Sequence, residues 1–378
     1  MKYIFAISTI IFFYHIFGYG LLLVFLNLFQ KKKKYNEISE FPTITILCPA
    51  FNEEDVIDEK IRSFFNLDYP EEKIKMIIIS DDSTDRTNQI VESYLSKGRL
   101  ELIIQKPRRG KQSGHNLVEP SIISEYVLST DANSIFKTNA VKELVKIMQS
   151  DNSIGMVSGE LNLLSPTGQD SGEGLYWKYE NFLKKEESKL YSIICANGSL
   201  FLLKRELFTQ IDIASSDDFE RTLITLKNGY KAKYTPQAVV TEDVSSHPKE
   251  EIGRKVRIIS QEWFAWRRQI AVFKNPIVSF MLVSHKLIRW TFPLYSLGIL
   301  LSSILLYENL YFLIFALGQI FFYLLGVLHL LILNTSKSNK LLNLVSYITA
   351  MNYSAIKAFI QFIRNKKFAT WNTIRDET

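Results

Sequence analysis

The chain has 378 residues, of which 47% are hydrophobic and 13% aromatic, enough to build a sizeable core. Its two cysteines, Cys48 and Cys195, exclude a disulfide framework and a Cys-rich zinc pattern, and fit a reducing compartment. The net charge of +6 is concentrated in four lysines at 31 to 34 and in "GRKVR" and "WRRQ" near 253 to 269, which points to anionic lipid head groups. No recognised nucleic-acid-binding module accompanies that charge, so nucleic acid is not an expected partner.

Residues 3 to 29 carry no formal charge and are long enough to cross a hydrocarbon layer of about 30 Å as a helix. A secretory signal would have a shorter apolar run and a small-residue cleavage site; here "QKKKK" follows. The expected reading is a transmembrane anchor over 1–30 whose lysines stay on the cytosolic side, with the following domain in the cytosol.

From 40 to 275 the composition is that of a soluble α/β domain. "TITILCPA" (43 to 50), "IKMIIIS" (74 to 80), "LELIIQ" (100 to 105) and "EYVLSTD" (125 to 131) read as short strands, most of them followed by polar helical stretches. Such alternation predicts a mostly parallel sheet covered by helices, with the ligand site beyond the carboxyl ends of the strands. Residues 277 to 378 form a third region. In it, 277 to 290 reads as an amphipathic helix at the membrane surface, and 291 to 306 with 310 to 333 as a transmembrane hairpin. Residues 341 to 363 read as an interfacial or re-entrant helix before a cytosolic tail.

Three strand ends concentrate polar chemistry. In "CPAFNEEDVI" (48 to 57), Pro49 stops the strand and the carboxylates enter a helix, whose N-terminus they would favour in any protein. In "IIISDDSTDRT" (77 to 87), Asp81, Asp82 and Asp85 crowd one strand end, which fits a helix cap or a donor-rich ligand or cation. "STDANSIF" (129 to 136) sets Asp131 and Asn133 around one alanine. Between them, "KPRRGKQSGHN" (106 to 116) fails the P-loop spacing and reads as a basic turn entering a helix, suited to a diphosphate.

In this order and spacing the motifs resemble the inverting family 2 glycosyltransferases, in the membrane-integrated branch that makes polysaccharides and glycolipids. The resemblance runs from the anchor through "PAFNEE", "SDDSTD", "GK" and "DAN" to "SHKLIRW" and "FATW". It implies a nucleotide-binding α/β domain of the glycosyltransferase A type flanked by transmembrane helices. It also implies that Pro49, Ala50 and Glu53 border the nucleotide, Asp81 contacts the base, Lys111 lies near it, and Asp131 and Asn133 form the metal-binding turn for Mg²⁺ or Mn²⁺. "GMVSGEL", "YWKYE" and "ANGSLFLLKRELF" resemble the acceptor half, where Gly198 either allows close approach of a sugar or makes a plain tight turn. Trp177 there is either a stacking platform or helix packing.

Two acidic pairs compete for the role of base. The family's pair precedes a helix and a "GY" turn, and "LITLKNGY" follows Asp218 and Phe219. Asp218 is therefore the expected base, with Asp217 capping or orienting it, and "TED" (241 to 243) is structural or supporting. The Q-x-x-R-W motif of processive members is "RKVRI" here, with Arg254, Arg257 and Ile258. The aromatic is gone, which puts sustained polymerisation in doubt, while Arg254 and Arg257 retain planar donors for a diphosphate. Gln261, Trp263 and Trp266 are a possible gate, and His247 is either a metal ligand or an exposed loop histidine.

The expected activity is transfer of a sugar from a nucleotide diphosphate sugar, of the UDP class, to a growing polysaccharide or lipid-linked glycan. Membrane lipids are expected partners, with export subunits as further possible ones. The alternatives are transfer of a single sugar to polyprenyl phosphate, or a catalytically silent nucleotide-sugar sensor or export subunit. Asn133 keeps an oxygen ligand while lowering the turn's charge, which implies a metal held weakly until the donor arrives.

Overall fold

The computed structural model describes residues 1–30, 37–164, 172–243, 248–331 and 340–368. Lys31 to Lys34, His247 and most of "FATW" lie outside them. In chain order the elements are α1 (Lys2–Phe13), a π-helical turn (Tyr14–Gly18), α2 (Tyr19–Asn27), β1 (Ile44–Ala50), α3 (Ile57–Phe65), β2 (Ile74–Ser80), α4 (Thr87–Glu92) and β3 (Leu100–Ile104). Then follow α5 (Lys111–Val118), β4 (Tyr126–Thr130), β5 (Ile135–Phe136), α6 (Ala140–Gln149), β6 (Ile154–Leu164), α7 (Gly172–Leu190), β7 (Leu200–Lys204), α8 (Asp217–Lys227) and β8 (Lys231–Asp243). The chain continues through α9 (Pro248–Arg268), α10 (Pro276–Leu282), a second π-helical turn (Val283–Leu287), α11 (Ile288–Trp290), α12 (Phe292–Leu305), α13 (Leu310–Leu331) and α14 (Lys340–Ile363).

The eight strands form one sheet in the order β3-β2-β1-β4-β7-β6-β8-β5. The four strands expected from the sequence make a wholly parallel half, β3-β2-β1-β4. Alternate residues of β1 enter different packing layers: Ile46 and Cys48 join Phe64 of α3 and Leu144 of α6, while Leu47 joins Val118 of α5 and Phe201 of β7. Burial on both faces explains why these strands read as continuous apolar runs. Each fully buried large aliphatic or aromatic side chain contributes roughly 1.5–3 kcal/mol.

The other half introduces antiparallel pairs: β7 runs against β4 and β6, and β5 against β8. The sheet is therefore mixed, with parallel pairings in the majority. The β5–β8 register sets Ile135 opposite Thr241 and so brings the end of β8 beside the residues that follow β4.

Among the described residues, two helical stretches are long and apolar enough to cross a membrane, Lys2–Asn27 and Leu310–Leu331. Pro276–Trp290 and Phe292–Leu305 pass the same test together and are bent by 60°. Phe5 packs edge-on against Phe312 at 5.0 Å, and Gln319 Nε2 donates to the Ser296 carbonyl at 2.7 Å, so α1, α12 and α13 pack as a group. The helix expected at 277 to 290 has outward apolar residues, Ile277 and Phe280, while Ser284, His285 and Lys286 are buried against the protein.

Trp263 and Trp266 do not sit over the donor strands. Both rings pack against Trp290, at 4.9 and 5.5 Å, and Trp263 stacks on Phe362. Gln261 donates to the Phe368 carbonyl. Their place is the core between α9, α11 and α14, because large aromatic surface gains most where it is buried between packed helices.

A Cβ on Gly159 would lie 2.6 Å from the Ala238 carbonyl oxygen, at the irregular register between β6 and β8. Gly159→Ala is expected to destabilise the protein by about 1–3 kcal/mol through overpacking. A lower midpoint of thermal unfolding in detergent, with unchanged size-exclusion behaviour at low temperature, is the result to look for.

Candidate active site

The carboxyl ends of β1, β2 and β4 open onto one edge of the sheet. Pro49 and Ala50 are buried at the end of β1, opposite Ile79 and Ser80 of β2. The two acidic loops beyond them clasp each other. Asn52 Oδ1 accepts from the Thr84 amide at 2.9 Å, Glu54 accepts from Arg86, and the Glu53 amide donates to Thr87 Oγ1 at 2.8 Å. Asp81 is buried, and its oxygens accept from Gln105 Nε2 (2.5 Å) and from the amides of Arg109 (2.9 Å) and Gly110 (2.8 Å). Its carboxylate therefore fixes the basic turn that starts α5. Gly110, at φ 92°, occupies the left-handed region that this start requires.

That start aims Lys111. Its ammonium lies 2.7 Å from Asp131 Oδ1 and 3.5 Å from Asp217 Oδ2, so it bridges the end of β4 and the first turn of α8. Burial alone would lower its pKa, but Asp131 and Asp217 outweigh that and hold it above its ordinary value. One helical turn on, His115 is buried with Nδ1 3.6 Å from the same Asp217 oxygen, which also accepts from Ser129 Oγ at 3.1 Å. Burial pushes His115 down to about 3, so it is neutral. Burial would raise Asp217, yet Lys111 and Arg221, with the hydrogen bond from Ser129, hold it below the ordinary carboxylate value.

Asp131 is partly exposed, and the chain turns tightly after it, with the Ser134 amide donating to the Asp131 carbonyl. Asn133 is half-buried in the same turn. Beneath lies Lys60 of α3, which is fully buried: it donates to Thr130 Oγ1 at 2.8 Å and to the Ser134 carbonyl, and stands 3.6 Å over the Phe136 ring. Burial lowers its pKa to about 8, opposed by Cys48, Asp131 and Glu242. Glu242 of β8 accepts from Ser134 Oγ, and burial followed by the nearby Asp131 raises its pKa. Glu242 of "TED" is thereby tied to the Asp131 turn through Ser134. Among the described residues, no group of three or more His, Cys, Asp or Glu is placed to hold a metal ion, so the turn itself offers one carboxylate and one amide.

Asp218 stands in the first turn of α8. Its Oδ1 accepts from Ser216 Oγ (2.6 Å) and the Phe219 amide (2.8 Å), while Oδ2 points toward Gly198, where a Cβ would lie 3.4 Å away. Burial raises its pKa, helped by the like charges of Asp217 and Glu262. Arg257 is half-buried and within electrostatic range of Arg254, Asp131 and Asp218; desolvation and then Arg254 lower its pKa. The structure thus brings Lys111, Asp131, Asp217, Asp218, Gly198, Arg254 and Arg257 to one region. Trp177 is packed against the core with its indole N–H buried, which is the helix-packing alternative.

Lys60 and His115 escaped the sequence reading, although each left a trace. Lys60 interrupts the apolar stripe Ile57, Ile61, Phe64, and His115 is four residues after Lys111, on the same helix face.

Residues 45–212 match a family model described as Glycosyl transferase family 2. A probable glycosyltransferase, YdaM, of Bacillus subtilis (strain 168) is 24% identical over 305 residues, covering 73% of this chain and 68% of the relative. The poly-beta-1,6-N-acetyl-D-glucosamine synthase of Staphylococcus epidermidis is 23% identical and covers 56% of this chain, which spans only 54% of that relative. Among solved structures, the mannosyltransferase PcManGT from Pyrobaculum calidifontis, in complex with GDP-Man and Mn²⁺, aligns with a TM-score of 0.71 at 22% identity. That alignment covers 96% of this chain and 100% of the other, and at such identity it speaks for the fold.

Lys60→Met leaves Thr130 Oγ1 and the Ser134 carbonyl without their donor, an expected loss of about 1–3 kcal/mol. Between pH 8 and the ordinary lysine value of 10.5 the unfolded chain holds a proton that folded Lys60 has released. Wild-type stability relative to this variant therefore rises with pH across that window. Denaturant titrations at about pH 7.5 and about pH 9.5 measure the difference.

Proposed function

We propose, from the premise that this chain belongs to glycosyltransferase family 2, that it is a membrane-bound inverting transferase. In this reading it moves a sugar from a UDP-sugar to a growing polysaccharide or lipid-linked glycan, with the catalytic domain facing the cytosol. The observation that carries the reading is the geometry of Asp218. One oxygen is tied down by Ser216 and the Phe219 amide, and the other faces the side-chain-free approach at Gly198. A carboxylate so held takes the proton of the acceptor hydroxyl while that oxygen attacks the anomeric carbon from the face opposite the departing nucleoside diphosphate. The bond to the diphosphate breaks with its electron pair leaving on the diphosphate, which inverts the anomeric centre.

The donor's negative charge meets Lys111, Arg254 and Arg257, whose placement near Asp131 and Asp218 supports a diphosphate between them. The raised pKa of Asp218 strengthens it as a base at neutral pH. Asp217, tied to Lys111 and Ser129, orients the first turn of α8. Asp131 and Asn133 are hard oxygen donors that fit a divalent ion, Mg²⁺ or Mn²⁺, and such an ion offsets the diphosphate charge when bound. Pro49, Ala50 and Glu53 would border the nucleotide at the end of β1. Asp81 would reach the base only through oxygens it already shares with the basic turn. A second reading, transfer of one sugar to polyprenyl phosphate, is favoured by Ile258 in the position of the processive aromatic.

Asp218→Asn is expected to lower the turnover number by ~10²–10⁴ while leaving the donor KM nearly unchanged. Release of nucleoside diphosphate from a panel of nucleotide sugars in detergent measures this, and unchanged turnover would sink Asp218 as the base. In the wild type, the acid limb of kcat/KM should fall above the ordinary aspartate value of 3.8.

Because one carboxylate is a sparse ligand set, Mn²⁺ should bind weakly alone and at least about tenfold more tightly with UDP present. Paramagnetic resonance of free Mn²⁺ reads this without turnover, and tight binding in the absence of nucleotide contradicts it.

A further inference from the structure

In the proposed reaction Lys111 is shared by three anions: Asp131, Asp217 and the donor diphosphate. Its ammonium lies 3.5 Å from Asp217 Oδ2, and Asp217 is only 5% exposed. A carboxylate so buried is costly once its counter-charge leaves, because solvent does not reach it to make up the loss. A donor that draws Lys111 away must therefore leave Asp217 with another partner.

Such a partner stands one helical turn further on. Arg221 follows Asp217 by four residues in α8, which sets the two side chains on one face. It is fully buried, with Nη1 donating to the Thr209 carbonyl at 3.0 Å and the guanidinium 3.8 Å from the centre of the Phe208 ring. Among the described residues its Nε and Nη2 have no hydrogen-bond partner, and neither has Asp217 Oδ1. Nε and Nη2 form an edge of the guanidinium that can grip a carboxylate through two parallel bonds.

The other carboxylates in electrostatic range of Arg221, Glu220 and Glu119, are already engaged. Glu220 accepts from Arg268 Nε at 3.0 Å and from Gln269 Nε2 at 2.9 Å, and Glu119 accepts from Arg205 Nη2 at 2.8 Å. Of the three, only Asp217 keeps a buried oxygen without a partner. His115 completes the arrangement on the other oxygen. Its Nδ1 lies 3.6 Å from Asp217 Oδ2, and neither ring nitrogen has a hydrogen-bond partner among the described residues. The neutral ring carries one proton, which Asp217 Oδ2 can accept once Lys111 leaves it.

We infer that Arg221 is the reserve counter-ion of Asp217: its open edge closes on Asp217 Oδ1 when Lys111 turns to a diphosphate, so the first turn of α8 keeps its place as the donor binds. This rests on the reading of Lys111 as a ligand of the donor diphosphate. Arg221 is thus a positioning residue, which acts through Asp217 and Lys111. Without its charge, Asp217 would hold Lys111 back and the nucleotide would have to compete for it.

The test titrates UDP and GDP separately into the full chain in detergent with Mn²⁺ and carries the tighter nucleotide through the variants. Arg221→Gln should weaken its binding at least about tenfold, and Arg221→Lys, which keeps the charge, should weaken it less. Asp217→Asn needs no counter-charge, so it should bind at least as tightly as the wild type and should recover most of the loss when added to Arg221→Gln. A merely structural Arg221 predicts no such rescue, because the second substitution would add its own damage. Thermal unfolding confirms that the variants fold. Equal affinity in the wild type and folded Arg221→Gln, or a loss that Asp217→Asn does not recover, overturns the inference while leaving donor binding intact. If Arg221→Gln does not fold, Asp217→Asn is read alone: affinity at or above that of the wild type supports the inference, and a weaker affinity overturns it. If neither nucleotide binds the wild type, the donor reading falls and the inference falls with it.

Discussion

The ammonium of Lys111 is the interaction on which the rest of the site depends. Asp131, Asp217, Asp218 and Glu242 come from three different elements and gather at one edge of the sheet. Two like charges about 4 Å apart repel by about 4 kcal/mol at the effective dielectric typical near a protein surface. Lys111, within 2.7 Å of Asp131 and 3.5 Å of Asp217, offsets this between the end of β4 and the start of α8, and Lys60 does so from below. Asp81 in turn fixes the turn that aims Lys111, although it touches neither of these carboxylates.

Asp218 stands where the α/β domain meets the apolar helices. Phe219, next to Asp218, packs edge-on against Trp290 at 5.8 Å, and Glu262 and Lys286 both act on the Asp218 carboxyl. The 276–290 helix explains how one segment serves both environments. Ile277 and Phe280 face outward while Ser284, His285 and Lys286 turn inward to carboxylates of α7 and α9. Movement of these helices would therefore be felt at Asp218, a coupling that follows from packing and buried charge pairs.

The parallel half of the sheet was legible because each of its strands is a local signal. "IKMIIIS" coincides with β2 and "LELIIQ" exceeds β3 by a single residue, since β-branched runs bounded by polar turns need no distant partner to be recognised. The antiparallel half was less so, because β5 is only two residues long and exists through its pairing with β8. The aromatic residues Trp263 and Trp266 looked poised over the donor because they follow Arg257 closely. The direction of their helix faces sends them into the core with Trp290 and Phe362.

By itself the sequence determined the class of the fold, the apolar helices and the residues at each strand end, because periodicity and turn chemistry are written in neighbouring positions. The motifs "PAFNEE", "SDDSTD", "GK" and "DAN", in that order, also carry the resemblance to the family 2 glycosyltransferases. Only the tertiary structure decided what those residues do to one another. Asp131 and Glu242 are 111 positions apart, and Lys60 lies 70 before Thr130, yet they share one buried cluster. Pairing, burial and pKa depend on distance in space, and the chain's order does not encode that distance locally.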